Sequence, residues 1–267
     1  TTEFLGYDCT TCSCKILRYR KVEAKGEIFY QVVLDQTPFY PEGGGQVGDT
    51  GRLISENNQT DVIDTKKENN LIVHTLTELP SDPAATFQAE VDVTNQLASS
   101  RNHSATHLLH EALRDILGTH VEQKGSLVRP ENLRFDFSHF EKIESDTVQK
   151  IEDRVNERIL ENITLVEKRN LALEDAKKAG AMMLFGEKYG ASVRMIGFGS
   201  SKELCGGIHV PATGSIGTFR ITTETSVASG IRRIEAVTGS GALSLAHQDR
   251  HSLSQIRECF KGAKDLP

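Results

Sequence analysis

The spacing of apolar positions changes character near Asp92. Ahead of it, residues 15–19, 28–35, 51–54 and 70–76 are short runs rich in β-branched or aromatic side chains, separated by Gly, Asn and Asp. Such runs read as strands, and several in succession predict a small barrel or sandwich. Residues 78–83, which hold Pro80 and Pro83, read as a loop near the end of this unit. The unit is therefore expected to span residues 1–90.

Beyond Asp92 a helical period takes over. Leu97, His103, His107, Leu108, Leu109, Leu113, Ile116 and Leu117 recur at helix spacing over 95–117, and Gly118 ends the run. Residues 145–162 predict a second helix, with Ser145 or Asp146 as N-cap and Val148, Ile151, Val155 and Ile159 on one face. A shorter run over 173–179 stops at Gly180, and a final helix is expected over 242–260. Strand-like stretches cover 133–137, 192–197, 217–222 and 231–238. Helices and strands mix without a βαβ rhythm, so the fold class is α+β. The expected division is a barrel-like domain over 1–90 with a glycine-rich loop, an α+β domain over 91–240, and a C-terminal helix over 241–267.

Size and composition narrow the class. The chain has 267 residues, 37% hydrophobic and 25% charged, in the range of a soluble globular protein. No apolar run approaches the roughly 20 residues that span a bilayer, and the polar start lacks a secretory signal. Five cysteines, three of them at Cys9, Cys12 and Cys14, do not form an even disulfide framework, which points to a reduced, cytoplasmic protein. A net charge of −6 weighs against a general nucleic-acid binder but leaves room for a local basic face. The missing initiator Met reads as a processed or excised piece, with excision favoured.

Two short motifs carry chemistry. His103 and His107 are four apart on the expected helix, so both imidazoles can reach one ion. Cys205-Gly206-Gly207-Ile208-His209 holds two glycines that permit a tight turn, bringing thiolate and imidazole together. Three nitrogens and one sulfur suit tetrahedral zinc better than magnesium or calcium, and one zinc ion is expected. Each half alone is a weak signal, and a reactive Cys205 beside a histidine is the competing reading. Cys9, Cys12 and Cys14 form a second metal candidate, against the simpler reading of three thiols in a strand or loop.

The segment 37–46 contains Gly43, Gly44 and Gly45 before Gln46. Successive glycines let the backbone approach a ligand and expose its amides, though a tight turn between strands uses them equally well. The segment lacks the Lys-Ser/Thr ending of a phosphate-binding loop. Gln123, Lys124, Arg129, Arg134, Arg232 and Arg233 are candidates to line a cleft for phosphate or carboxylate, or solvated surface residues. Alternation places one of Arg232 and Arg233 on the opposite side of its strand.

Together, residues 5–8, 37–46, 102–107, 118–126, 134–138, 184–189, 205–209 and 230–239 resemble the editing domain of alanyl-tRNA synthetases. The resemblance covers nearly the whole chain and extends more distantly to the threonyl enzyme's editing fold. It implies a small β-barrel followed by a zinc-bearing α+β unit that hydrolyses the ester between serine or glycine and alanine tRNA. It also implies zinc ligands His103, His107, Cys205 and His209, an editing role for Gln123, and recognition of the serine hydroxyl by Thr37. The mischarged acceptor end would meet Gly43, Gly44, Gly45, Gln46, Lys124, Arg232 and Arg233, and the remainder of a parent synthetase would be the other partner, with no membrane. A second sieve has a physical reason: a pocket for alanine cannot strongly reject serine merely for its added hydroxyl. Three other readings stand beside it: a free-standing editing protein, a zinc-stabilised RNA-binding module without catalysis, and a hydrolase of small aminoacyl esters.

Overall fold

The computed structural model describes residues 2–24, 26–56, 58–183 and 190–260. The motif at 184–189 and the last part of the expected C-terminal helix, 261–267, lie outside them.

The first unit holds β1 (Glu3–Phe4), β2 (Thr11–Ala24), β3 (Glu27–Leu34), β4 (Gln36–Thr37), β5 (Gly51–Ser55), β6 (Asn58–Glu68), β7 (Leu71–Leu76) and β8 (Thr86–Val91). Six of these close a barrel in the order β2-β3-β7-β6-β5-β8, every neighbouring pair antiparallel. Closure removes the open edges of a free sheet. Val32, Leu34, Phe39, Leu53, Val62, Leu76, Phe87 and Ala89 fill the interior. Strands β6 and β8 were absent from the sequence pattern. In β6 the inward positions include Thr60 and Thr65, so its buried face carries little hydrophobic signal.

Asp92 then caps α1 (Val93–Leu117), its Oδ1 accepting from the amides of Thr94 at 3.0 Å and Asn95 at 3.1 Å. The helix starts two residues ahead of the expected position because of that cap. Residues 102–110 are all buried, so α1 is a central helix covered on every face. After it come β9 (Gln123–Val128), β10 (Leu133–Ser138), α2 (Ser145–Leu160), β11 (Val166–Ala172), α3 (Leu173–Lys178), β12 (Ser192–Phe198), β13 (Ser201–Leu204), β14 (Phe219–Ala228), β15 (Ile231–Thr238) and α4 (Gly239–Cys259).

Strands β14-β15-β10-β9 make an antiparallel sheet, and β11-β12-β13 a smaller one. In β10, Leu133, Phe135 and Phe137 are buried while Arg134, Asp136 and Ser138 are half-buried. Those aromatic rings join Leu108, Leu109 and Leu113 of α1 and Ile151, Val155 and Ile159 of α2 in one core. Each fully buried leucine contributes about 1.5–3 kcal/mol. A barrel plus a mixed layer of sheets and helices is the α+β arrangement expected.

The two units are sewn together by the glycine-rich loop. Gly45 O accepts from Val128 N at 2.7 Å, and Val47 N donates to Val128 O at 3.1 Å, laying the loop along the edge strand β9. Gln96 Nε2 of α1 donates to Asp49 Oδ2 at 2.6 Å just beyond.

Candidate metal centre

α1 brings His103 and His107 to the same face, one turn apart, with ring centroids 5.5 Å from each other. Strand β13 ends at Leu204, and the next turn delivers Cys205 and His209 to that face. One ligand atom from each of His103, His107, Cys205 and His209 falls within 4.8 Å of all the others. Gly207 makes this convergence possible. A Cβ there would stand 2.0 Å from His103 Cε1, so no side chain fits.

The donor atoms are prepared for a metal. Cys205 Sγ lies 3.4 Å from His103 Nε2 and 3.3 Å from His209 Nε2. A tetrahedral zinc with ordinary bond lengths separates sulfur from nitrogen by about 3.5 Å. Ser104 Oγ engages His209 Nδ1 at 3.1 Å, leaving Nε2 toward the sulfur. His107 Nδ1 is buried without a protein partner, and its Nε2 is 3.6 Å from Glu203 Oε2, beyond hydrogen-bond range. Burial first, and then the neighbouring histidines, hold His103 and His209 well below the ordinary imidazole pKa, so both are neutral and able to ligate. The cluster therefore fits a zinc-type ion.

Arg194 and Glu203, which lie outside every motif of the sequence, complete the surroundings together with Tyr7 of the 5–8 motif. Arg194 Nη1 donates to the carbonyls of Cys205 at 3.0 Å and Gly207 at 2.7 Å, and its guanidinium lies 4.0 Å from the centre of the Tyr7 ring. Tyr7 Oη donates to Gly206 O at 2.7 Å. Those carbonyls of the turn are thus satisfied, and the amides of Gly207 and Ile208 point inward, Gly207 N toward Cys205 Sγ at 3.4 Å. Glu203 is buried between His107 and His110, accepting from His110 Nδ1 at 3.0 Å. Burial works to raise its carboxyl, but the two histidines outweigh that and hold it below the usual value. Tyr7 and Gly206 are 199 residues apart, a pairing that no local pattern announces.

The remaining candidates fall in several places. Gln46 is fully buried, and its Oε1 accepts from His103 Nδ1 at 2.7 Å and from Ile208 N at 3.0 Å. Gly43 and Gln46 exchange backbone bonds of 3.0 Å, so the loop includes a tight turn. Gly45, at φ +83°, passes so close to Ser126 that a Cβ would meet its Oγ at 2.1 Å. Gln123 Nε2 donates to the same Ser126 Oγ at 3.3 Å, so loop and Gln123 meet there. A groove of about 480 Å³ runs past Gly43, Gly44 and Gly45 between Lys66, Lys67 and Ser126. Lys124 pairs with Glu122 at 2.9 Å.

Arg232 and Arg233 lie on opposite sides of β15. Arg232 is buried and paired with Glu224, while Arg233 forms a two-pronged pair with Asp136 at 2.6 and 2.8 Å. Thr37 is fully buried beside the barrel. Because His74 Nδ1 faces the Val32 carbonyl, its Nε2 must accept, so the Thr37 hydroxyl donates to it at 2.8 Å while accepting from Phe39 N at 3.2 Å. Cys14 lies in the barrel core, and burial pushes the Cys12 thiol up to about 11 and Cys14 to about 12. Among the described residues the N-terminal cysteines join no metal-ligand group.

Comparison with known proteins decides the kinship. The family model of class II (A) tRNA synthetases matches residues 1–101, and that of the threonyl and alanyl tRNA synthetase second additional domain matches 193–235. The chain is 55% identical over 264 residues to an alanine–tRNA ligase of Parabacteroides distasonis, covering 99% of this chain. The ligase of Bacteroides fragilis is 55% identical over 266 residues, and that of Flavobacterium psychrophilum 53% over 273. This chain belongs with the alanyl-tRNA synthetases. It spans 30–31% of the length of those relatives. The second additional domain match ends inside β15 and contains the whole Cys205–His209 turn, while both α1 histidines lie outside it. Among the described residues no helix is long and apolar enough to cross a membrane.

Proposed function

We propose that this chain is an editing unit of an alanyl-tRNA synthetase, hydrolysing the ester that joins serine or glycine to alanine tRNA. The observation that carries the reading is the four-ligand cluster, assembled from α1 and the Cys205 turn in a chain related to alanine–tRNA ligases along its length. A zinc ion held by His103, His107, Cys205 and His209 would supply Lewis-acid polarisation at the ester. Gln123 would orient substrate or water beside Ser126, and the groove along Gly43, Gly44 and Gly45 would take the acceptor end. Lys124, Arg232 and Arg233 would contribute positive charge around it, each already paired with a carboxylate. The barrel of residues 1–90 and the unit of 91–240 would share the substrate, and the remainder of a parent synthetase in the cytoplasm would be the other partner.

A second reading is favoured by the filled ligand shell. Four protein ligands are the usual mark of structural zinc, since catalytic sites keep an open position. In that case the chain would be a zinc-stabilised tRNA-binding module. The deciding experiment is deacylation of seryl-, glycyl- and alanyl-alanine tRNA by this chain and by Cys205→Ala of verified fold. Loss of serine and glycine, sparing of alanine and failure of the variant support editing. Binding of tRNA without hydrolysis supports the binding module.

A further inference from the structure

Gln46 belongs to the barrel's glycine-rich loop, yet its side chain ends inside the metal cluster. Its backbone leaves little freedom. One side is closed by the paired bonds to Gly43 and the other runs beside Val128 of β9. The side chain is 0% exposed and reaches His103 and the Cys205–His209 turn at once.

Hydrogen-bond logic then assigns the protons. Ile208 N–H is a backbone donor, so the Gln46 atom facing it at 3.0 Å must be the amide oxygen. An amide oxygen accepts only, so His103 Nδ1, 2.7 Å from the same atom, must carry the ring proton. The lone pair of His103 is thereby placed on Nε2, the nitrogen that faces Cys205 Sγ at 3.4 Å. Among the described residues, Gln46 is the hydrogen-bond partner of His103 Nδ1. The orientation even leaves Gln46 Nε2 buried without a partner, a cost that the two bonds at the oxygen offset. Gly207 completes the cradle, since a Cβ there would come within 2.9 Å of Gln46 Oε1.

We propose that Gln46 is a positioning residue of the metal centre, through which the barrel loop sets the tautomer and orientation of His103 and holds the Cys205–His209 turn against it. This rests on reading the cluster as a zinc site. It makes the metal centre a joint product of the two units, although all four ligands come from one of them. Partners of a ligating histidine's second nitrogen raise metal affinity by about 10–100-fold.

The test measures zinc affinity by competition with a chromophoric chelator for the full chain, Gln46→Leu and Gln46→Glu, alongside imidazole ¹⁵N NMR of His103. A carboxylate keeps the acceptor and leucine removes it, while both keep the backbone stitch to β9. Gln46→Leu is expected to lose about 10–100-fold in zinc affinity and Gln46→Glu to recover most of it. The parent chain, with zinc removed, should already show His103 protonated at Nδ1. Equal affinity in parent and Gln46→Leu overturns the proposal, as does equal weakness of the leucine and glutamate variants. An Nε2-protonated His103 in the zinc-free parent overturns it without any variant, so a misfolded Gln46→Leu cannot shelter it. A parent that binds no zinc overturns the metal reading itself and this proposal with it, a result distinct from an unchanged ratio between variants.

Discussion

The barrel and the metal-bearing unit solve the problem of buried polar groups in opposite ways. In the barrel, Thr37 and His74 satisfy each other within a continuous apolar interior, and burial holds His74 neutral with a pKa pushed down to about 4. In the second unit, His103, His107 and His209 crowd around one thiol, and the His107 Nδ1 has no protein partner at all. Within the barrel the buried imidazole finds its partners in protein groups, although Thr60 Oγ1 is left without one. The cluster leaves one ring nitrogen that an ion could satisfy, and a buried polar atom without a partner costs about 1–3 kcal/mol. Half of the barrel's strand pairs join neighbours in the chain, β2-β3, β5-β6 and β6-β7, whereas the contacts that build the cluster span 57, 102 and 162 residues.

Chelation should expose this difference most strongly. On the proposed editing reading, stripping the metal is expected to slow deacylation about 100-fold, which is about 2.7 kcal/mol of transition-state stabilisation. Amide exchange should rise in residues 102–110 of α1 and stay unchanged in β2, β3 and β7. Equal loosening of the barrel would erase the distinction. Gly207→Ala comes next. Its Cβ would lie 2.0 Å from His103 Cε1, and overpacking of this kind costs about 1–3 kcal/mol, so thermal stability and zinc content should both fall.

Thr37→Val probes the barrel side. It strips a hydroxyl that serves both His74 Nε2 and Phe39 N, at a cost of about 1–3 kcal/mol, and zinc affinity should not move. Eroded discrimination between serine and alanine at unchanged stability would instead give Thr37 the substrate role implied by the family resemblance.

The smallest effect is one of pH. Burial raises the Asp49 carboxyl to about 6, so the folded state holds a proton there that the unfolded chain releases near 4. Stability from Asp49 is therefore present at pH 4 and lost as pH rises to 6. His74 does the reverse: its folded pKa of about 4 means that stability is gained as pH rises from 4 towards 6.5. The two act in opposite directions over that window. Asp49→Asn, which keeps an acceptor for Tyr40 N and Gln96, should leave stability rising by about 1–3 kcal/mol across that window in denaturant titrations. A flat profile in the variant would break the assignment.

Several features of the site were legible because they are local. His103 and His107 follow from the helix period, and the Cys205–His209 spacing announces a turn. The opposite facing of Arg232 and Arg233 follows from strand alternation. The surroundings were not legible for an equally physical reason. Arg194 and Glu203 act through contacts that their own neighbourhoods do not announce, and Tyr7, although inside the 5–8 motif, takes its role from a partner 199 residues away. Thr37 is the instructive case, since a polar residue before a glycine loop gives no sign of being enclosed with a histidine 37 positions away.

By itself, the sequence determined the change from strands to helices at Asp92, the donor chemistry of the cluster and the kinship to alanyl-tRNA synthetases. Each is a matter of residue type at short spacing. The tertiary structure decided what those residues face: closure of the barrel around β6 and β8, the stitch of the glycine loop to β9, and the arrival of Gln46 at His103. Spacing specifies which groups can share a face. Only the packing of distant segments settles which atom of each group is turned towards the others.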